Sequence, residues 1–132
     1  MIHYLIAHIG HTTKDSEHII WWNPDSRGYT YCIDKAGRYD EEEARQICQY
    51  GSCVAIPKAD AKTVGRSTPY FRRMDGTLNK LYDGGPHLVV PNSVEAWVHL
   101  KDRRLDCGRH DKPTPISAKK ARAIYLVEGG AA

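Results

Sequence analysis

Apolar and polar positions alternate early in the chain, where His3-Tyr4-Leu5-Ile6-Ala7-His8-Ile9 reads as a strand that Gly10 ends. Two further runs, Ile19-Ile20-Trp21-Trp22 and Tyr29-Thr30-Tyr31-Cys32-Ile33, are β-branched or aromatic and suit a pleated, half-buried surface. Asn23-Pro24-Asp25-Ser26-Arg27-Gly28 lies between them. Pro fixes φ, Asp and Ser bond their own backbone and Gly takes a positive φ, so the two runs are predicted to form a hairpin paired with the first strand. Asp40 with Glu43 makes a capping box, and Ala44, Ile47 and Cys48 then recur at helical spacing until Gly51 closes the helix in a left-handed cap.

Further along, Cys53–Pro57 is predicted as a strand, with Pro57 at its end or on a sheet edge. A helical turn over Asp60–Val64 and a hairpin of Tyr70–Met74 with Thr77–Tyr82 around Asp75-Gly76 follow. His87–Pro91 is a compact apolar strand. Asn92 then caps a second helix with Glu95 as its capping-box partner, and Val94, Trp97, Val98 and Lys101 fall on one face. Asp106–Ser117 is irregular, and Ala123–Val127 forms a last strand before a frayed Gly-Gly-Ala-Ala tail. The expectation is a single α+β domain over residues 1–132, a mostly antiparallel sheet with two main helices at about 40–50 and 92–104.

The pattern WWxPDxxGYT at Trp21–Thr30, followed by Ala36-Gly37-Arg38-Tyr39 and an acidic helix start, resembles a set of small orphan phage and prophage accessory proteins. The segment His8–His18 is similar to the variable loop that precedes the motif in that set. The resemblance covers the first third of the chain. It implies a genomic setting and brings no established activity with it.

A chain of 132 residues is long enough to bury a core without staples. No apolar run approaches the ~20 residues of a membrane span, and Met1–Ala7 lacks the basic start of an export signal. The cytoplasm of a bacterial host is therefore the expected location, where four cysteines are thiols or metal ligands in preference to disulfides. The net charge of +3 is unevenly divided: residues 1–65 hold 7 Lys and Arg against 9 Asp and Glu, and residues 66–132 hold 12 against 7. An acidic partner would meet the second half.

Four constellations carry candidate chemistry. Cys48-x4-Cys53 and Cys107-x2-His110, each with a glycine inside, have the two-pair spacing of a structural zinc site, although buried free thiols are common and Cys48 lies on the helix's apolar face. His3, His8, His11 and His18, with Asp15 or Glu17, supply the parts of an acid–base pair but match no hydrolase or phosphotransferase motif. Arg66, Arg72 and Arg73 near Tyr70 and Phe71, with Lys101, Arg103, Arg104, Arg109 and Lys112 after the Trp97 helix, mix phosphate-seeking charge with stacking surface. Against a nucleic-acid site, Asp102, Asp106 and Asp111 dilute the run, and Arg103 and Arg104 suit a helix C-terminus.

The last constellation is a protein interface. Adjacent tryptophans in a strand point to opposite faces, so one of Trp21 and Trp22 enters the core. The other is either covered by a second layer or exposed beside Arg27, Tyr29 and Tyr31, a hot-spot composition. With no Gly-rich phosphate loop and no Gly-x-Ser-x-Gly elbow, no enzyme class is supported. The expected role is stoichiometric binding of a host protein or ribonucleoprotein complex, in the manner of an anti-CRISPR protein that occludes a defence complex. The alternative is nucleic-acid binding or regulation through the basic half.

Overall fold

The computed structural model describes residues 2–72, 75, 77–80 and 86–126. A four-stranded antiparallel sheet organises it. β1 (Tyr4–His8) lies between β2 (Trp21–Trp22) and β4 (Cys53–Pro57), and β3 (Tyr29–Thr30) adds to β2 at one edge. β1 meets β4 along its whole length, from Tyr4↔Pro57 to His8↔Cys53, and meets β2 at Ala7↔Trp21. Pro57 stands at the end of a strand that is also an edge, where its missing N–H costs nothing.

Period-two alternation divides the apolar residues between the two faces of this sheet. Leu5, Ala7, Trp21, Val54 and Ile56 pack with Ala61 of α2 (Lys58–Thr63) and with Ala96, Trp97 and Leu100 of α3 (Val94–Asp102). Tyr4, Ile6, Cys53 and Ala55 pack on the other face with Tyr39 and with Ala44 and Cys48 of α1 (Glu41–Cys48). Both faces are thus covered by helices, the α+β arrangement expected. Smaller sheets pair β5 (Arg66–Thr68) with β8 (His87–Val89), and β6 (Tyr70–Arg72) with β7 (Leu78–Lys80) and β9 (Ala123–Ile124). Among the described residues no helix is long and apolar enough to cross a membrane.

The capping box that starts α1 is formed as expected: Glu43 N donates to Asp40 Oδ1 at 2.8 Å, and Asp40 N donates to Glu43 Oε1 at 3.3 Å. The start of α3 differs from expectation. Ser93 caps it, accepting from Ala96 N at 3.1 Å, and Asn92 is turned into the core. There its amide nitrogen faces the carbonyls of Thr13, Ser16 and Thr114, and its oxygen accepts from Trp97 Nε1 at 2.6 Å. A buried amide with acceptors on one side and a donor on the other gains more there than at an exposed cap.

The first hairpin is also shorter than its sequence suggests. Only Trp21↔Thr30 and Trp22↔Tyr29 pair, after which Ile33 N turns to the carbonyl of Leu88. The turn is held by Asn23, whose amide nitrogen donates to the carbonyls of Arg27 and Tyr29, so the role expected of Asp25 and Ser26 falls to it. Those two residues instead take left-handed φ values of 57° and 56°, alongside the expected positive φ at Gly28. The second hairpin pairs at Phe71↔Asn79 and Arg72↔Leu78. Arg73, Met74, Gly76, Leu81, Tyr82, Gly84 and Gly85, and Val127 with the tail, lie outside the described residues.

Candidate functional site

The strand pattern that buries Trp21 places Trp22, His8 and Tyr4 on the α1 side of the sheet. Trp21 is fully enclosed in the main core, which removes it from any surface that a partner touches. Trp22 is half-buried, its indole N–H donating to Cys53 Sγ at 3.4 Å. Tyr29, directly opposite Trp22 in the hairpin, is exposed, and the two rings lie 4.5 Å apart.

Two histidines complete this group. Thr12 is buried and makes a tight turn of residues 8–12: its hydroxyl donates to the His8 carbonyl at 2.8 Å and accepts from Ile20 N at 3.0 Å. His11 is thereby brought back over His8, ring on ring, with centroids 4.3 Å apart and planes 14° from parallel. His11 N donates to His8 Nδ1 at 3.0 Å, which fixes the neutral tautomer of His8 with its proton on Nε2. Tyr29 stands edge-on to both imidazoles, with centroids 5.4 Å from His8 and 4.5 Å from His11. Burial, then the neighbouring His11, lower the His8 pKa. The result is a continuous aromatic surface, Trp22–Tyr29–His11–His8; Arg27 is exposed in the turn before Tyr29.

Tyr31, also expected at this surface, is elsewhere. It packs edge-on to the buried His18, and Tyr125 does the same, with centroids 6.0 and 5.8 Å away. Burial alone lowers His18 to about 4. The acid–base pairing of the histidines with Asp15 or Glu17 is not formed. Glu17 accepts from Arg122 N at 2.6 Å and Ala123 N at 3.1 Å, and Asp15 faces Lys120 at 3.4 Å, so both carboxylates hold the C-terminal segment. His3 is exposed at the head of β1.

Among the described residues the basic side chains do not form one stripe. Arg66 lies over the Tyr125 ring at 4.6 Å and lines a cavity of about 400 Å³ at the N-terminus of α3. Burial and Glu17 raise that tyrosine to about 12. Arg103 and Arg104 follow the far end of the same nine-residue helix, ~13 Å away along its axis. Arg103 there faces Asp60 at 3.8 Å, and Arg104 donates to the Lys101 carbonyl at 2.9 Å. Lys101 is half-buried, and Lys112 is exposed in the loop beyond. Tyr70 and Arg72 enter β6, and Arg73 lies outside the described residues.

The expected metal ligands are brought to one place. Cys48, Cys53, Cys107 and His110 line a single cavity of about 10 Å³ together with Arg104 and Arg109. Burial raises all three thiols, and at Cys48 its neighbours Cys53 and Cys107 add to the effect. As the side chains stand, no three His, Cys, Asp or Glu groups among the described residues converge to hold an ion. The fourth thiol, Cys32, is buried elsewhere.

The structure brings His8 and His11 against Trp22 and Tyr29, a grouping that the sequence pattern does not show. Thr12 unites them through its hydrogen bond with Ile20, a contact that only the fold shows. The chain matches no protein-family model, no curated protein and no solved structure.

Proposed function

We propose that this chain is a stoichiometric binder of a host protein, of the phage accessory type, and that it acts by occluding a functional surface of a bacterial antiviral complex. The observation that carries the reading is the Trp22–Tyr29–His11–His8 surface. Four rings are held in one cluster of contacts by a two-residue strand pair and a Thr12-braced turn. Large, rigid aromatic groups gain contact area on binding at little entropic cost, and for that reason they dominate interface hot spots. The phage-type motif of the sequence spans the same hairpin, Trp21–Thr30.

Nucleic-acid binding has less support, because Arg66, Arg103 and Arg104 are each engaged within the fold and lie at opposite ends of α3. The two readings separate on salt. An aromatic protein interface loses little affinity between low and moderate ionic strength, whereas binding through several phosphates falls by orders of magnitude. Titrating a captured partner at two salt concentrations distinguishes them: near-constant affinity supports the proposal, and a steep decline contradicts it.

A further inference from the structure

We propose that Cys48, Cys53, Cys107 and His110 form a structural site for one zinc ion, which ties α1 and β4 to the loop after α3. The four come from two short knuckles 54 residues apart in sequence, yet all line one cavity of about 10 Å³, room for about one water-sized sphere. Each knuckle turns through a glycine in the left-handed region, Gly51 at φ 86° and Gly108 at φ 91°. Three thiolates and one imidazole are a donor set that zinc takes in tetrahedral geometry.

The backbones of the two knuckles are already joined. Asp111 N donates to the Gly51 carbonyl at 2.7 Å, and a Cβ at Gly51 would come within 3.0 Å of the Arg109 carbonyl oxygen. Leu105 N donates to the Ala55 carbonyl at 2.9 Å, and Arg45 of α1 reaches the Asp106 carbonyl at 2.8 Å. The ion therefore requires side-chain rotation about a fixed frame.

The groups around the cavity are those that support metal ligands. His110 Nδ1 lies 2.7 Å from the Asp111 carbonyl, an oxygen that can only accept, so this nitrogen carries the proton and Nε2 is free to bind. The Trp22 indole N–H already donates to Cys53 Sγ. Arg104 lines the cavity with a buried Nε that makes no hydrogen bond, a cationic donor suited to a thiolate. Binding exchanges three thiol protons, released to solvent, for one divalent cation. The resulting site carries one net negative charge, which Arg104 and Arg109 offset.

Cobalt(II) and zinc titrations of the reduced, purified full chain test this. The expected result is one equivalent of cobalt with a thiolate-to-cobalt charge-transfer band and the intense visible bands of tetrahedral coordination. Zinc displaces these bands and raises the thermal midpoint. Cys107→Ser, at a half-exposed position that tolerates the change, and His110→Ala are expected to lose the zinc-induced rise in midpoint and weaken the bands, while Cys32→Ser keeps both. Absence of saturable binding overturns the proposal, as do octahedral-type spectra without charge transfer or cobalt spectra unchanged in Cys107→Ser. Each variant's metal-free unfolding transition is recorded first, so that a folding defect is not read as a lost ligand.

Discussion

His18 sits in the core between Tyr31 and Tyr125 with its Nε2 making no hydrogen bond. Burial holds its pKa at about 4, against 6.5 for an exposed imidazole. The unfolded chain binds this proton more readily, so the stability from neutral His18 is complete above pH 6.5 and declines as pH falls toward 4. The whole excursion is about 3 kcal/mol, or on the order of 10 °C in a chain of this size. Thermal midpoints followed from about pH 7 down to about pH 4.5 should fall more steeply for the natural protein than for His18→Phe. Parallel curves would contradict the assignment. Asn92 is the second residue of this kind. Asn92→Ala leaves the Trp97 indole N–H and at least one carbonyl without a partner in the core and should cost about 3 kcal/mol or more in denaturant unfolding. Asn92→Asp fails as well, since its carboxylate would face the three carbonyls that the amide nitrogen now serves.

Among elements, the β2–β3 turn governs the proposed surface. Gly37 N donates to the Trp22 carbonyl at 2.9 Å, and a Cβ at Gly37 would lie 2.8 Å from Asn23 O and from two atoms of Pro24, all backbone. Gly37→Ala should therefore displace the turn and cost about 1–3 kcal/mol. Chemical shifts of Tyr29 and His11 should move with it, and unchanged spectra would separate the turn from the ring cluster. The β2–β3 turn, the capping box and α1 were legible because each rests on neighbours within four or five residues: Asp40 with Glu43, Asn23-Pro24 with Gly28. Where the sequence misled, a distant partner had decided the outcome. Asn92 looks like a cap until Trp97 and the 13–16 loop surround it, and Ile33 leaves the hairpin to donate to the Leu88 carbonyl, 55 residues away in sequence. His8 and His11 gave no local signal, since their stacking depends on Thr12 bonding across to Ile20.

For the whole molecule, the sheet sorts its residues into two roles. The α3 face holds Trp21, Ile56, Trp97 and Leu100 and supplies stability; Trp21→Ala should cost about 3–5 kcal/mol. On the α1 face the aromatic surface and the cysteine cavity meet at the Trp22–Cys53 hydrogen bond. The cavity was half legible: the spacing named its four residues, while the contact of Gly51 with Arg109 and His110 that unites them is visible only in the fold. Tyr29→Ala combined with His11→Ala removes exposed rings and should leave the unfolding midpoint within a few degrees of the natural value, since surface changes rarely exceed ~0.5 kcal/mol. Binding of a host protein through the ring cluster is tested by capturing partners from a bacterial host lysate with the tagged natural protein and this double variant, each with nuclease treatment, and identifying them by mass spectrometry. The expected result is a protein captured in stoichiometric amount by the natural chain, resistant to nuclease and missing from the double variant. Loss of the partner on nuclease treatment, or its equal retention by the variant, would contradict it.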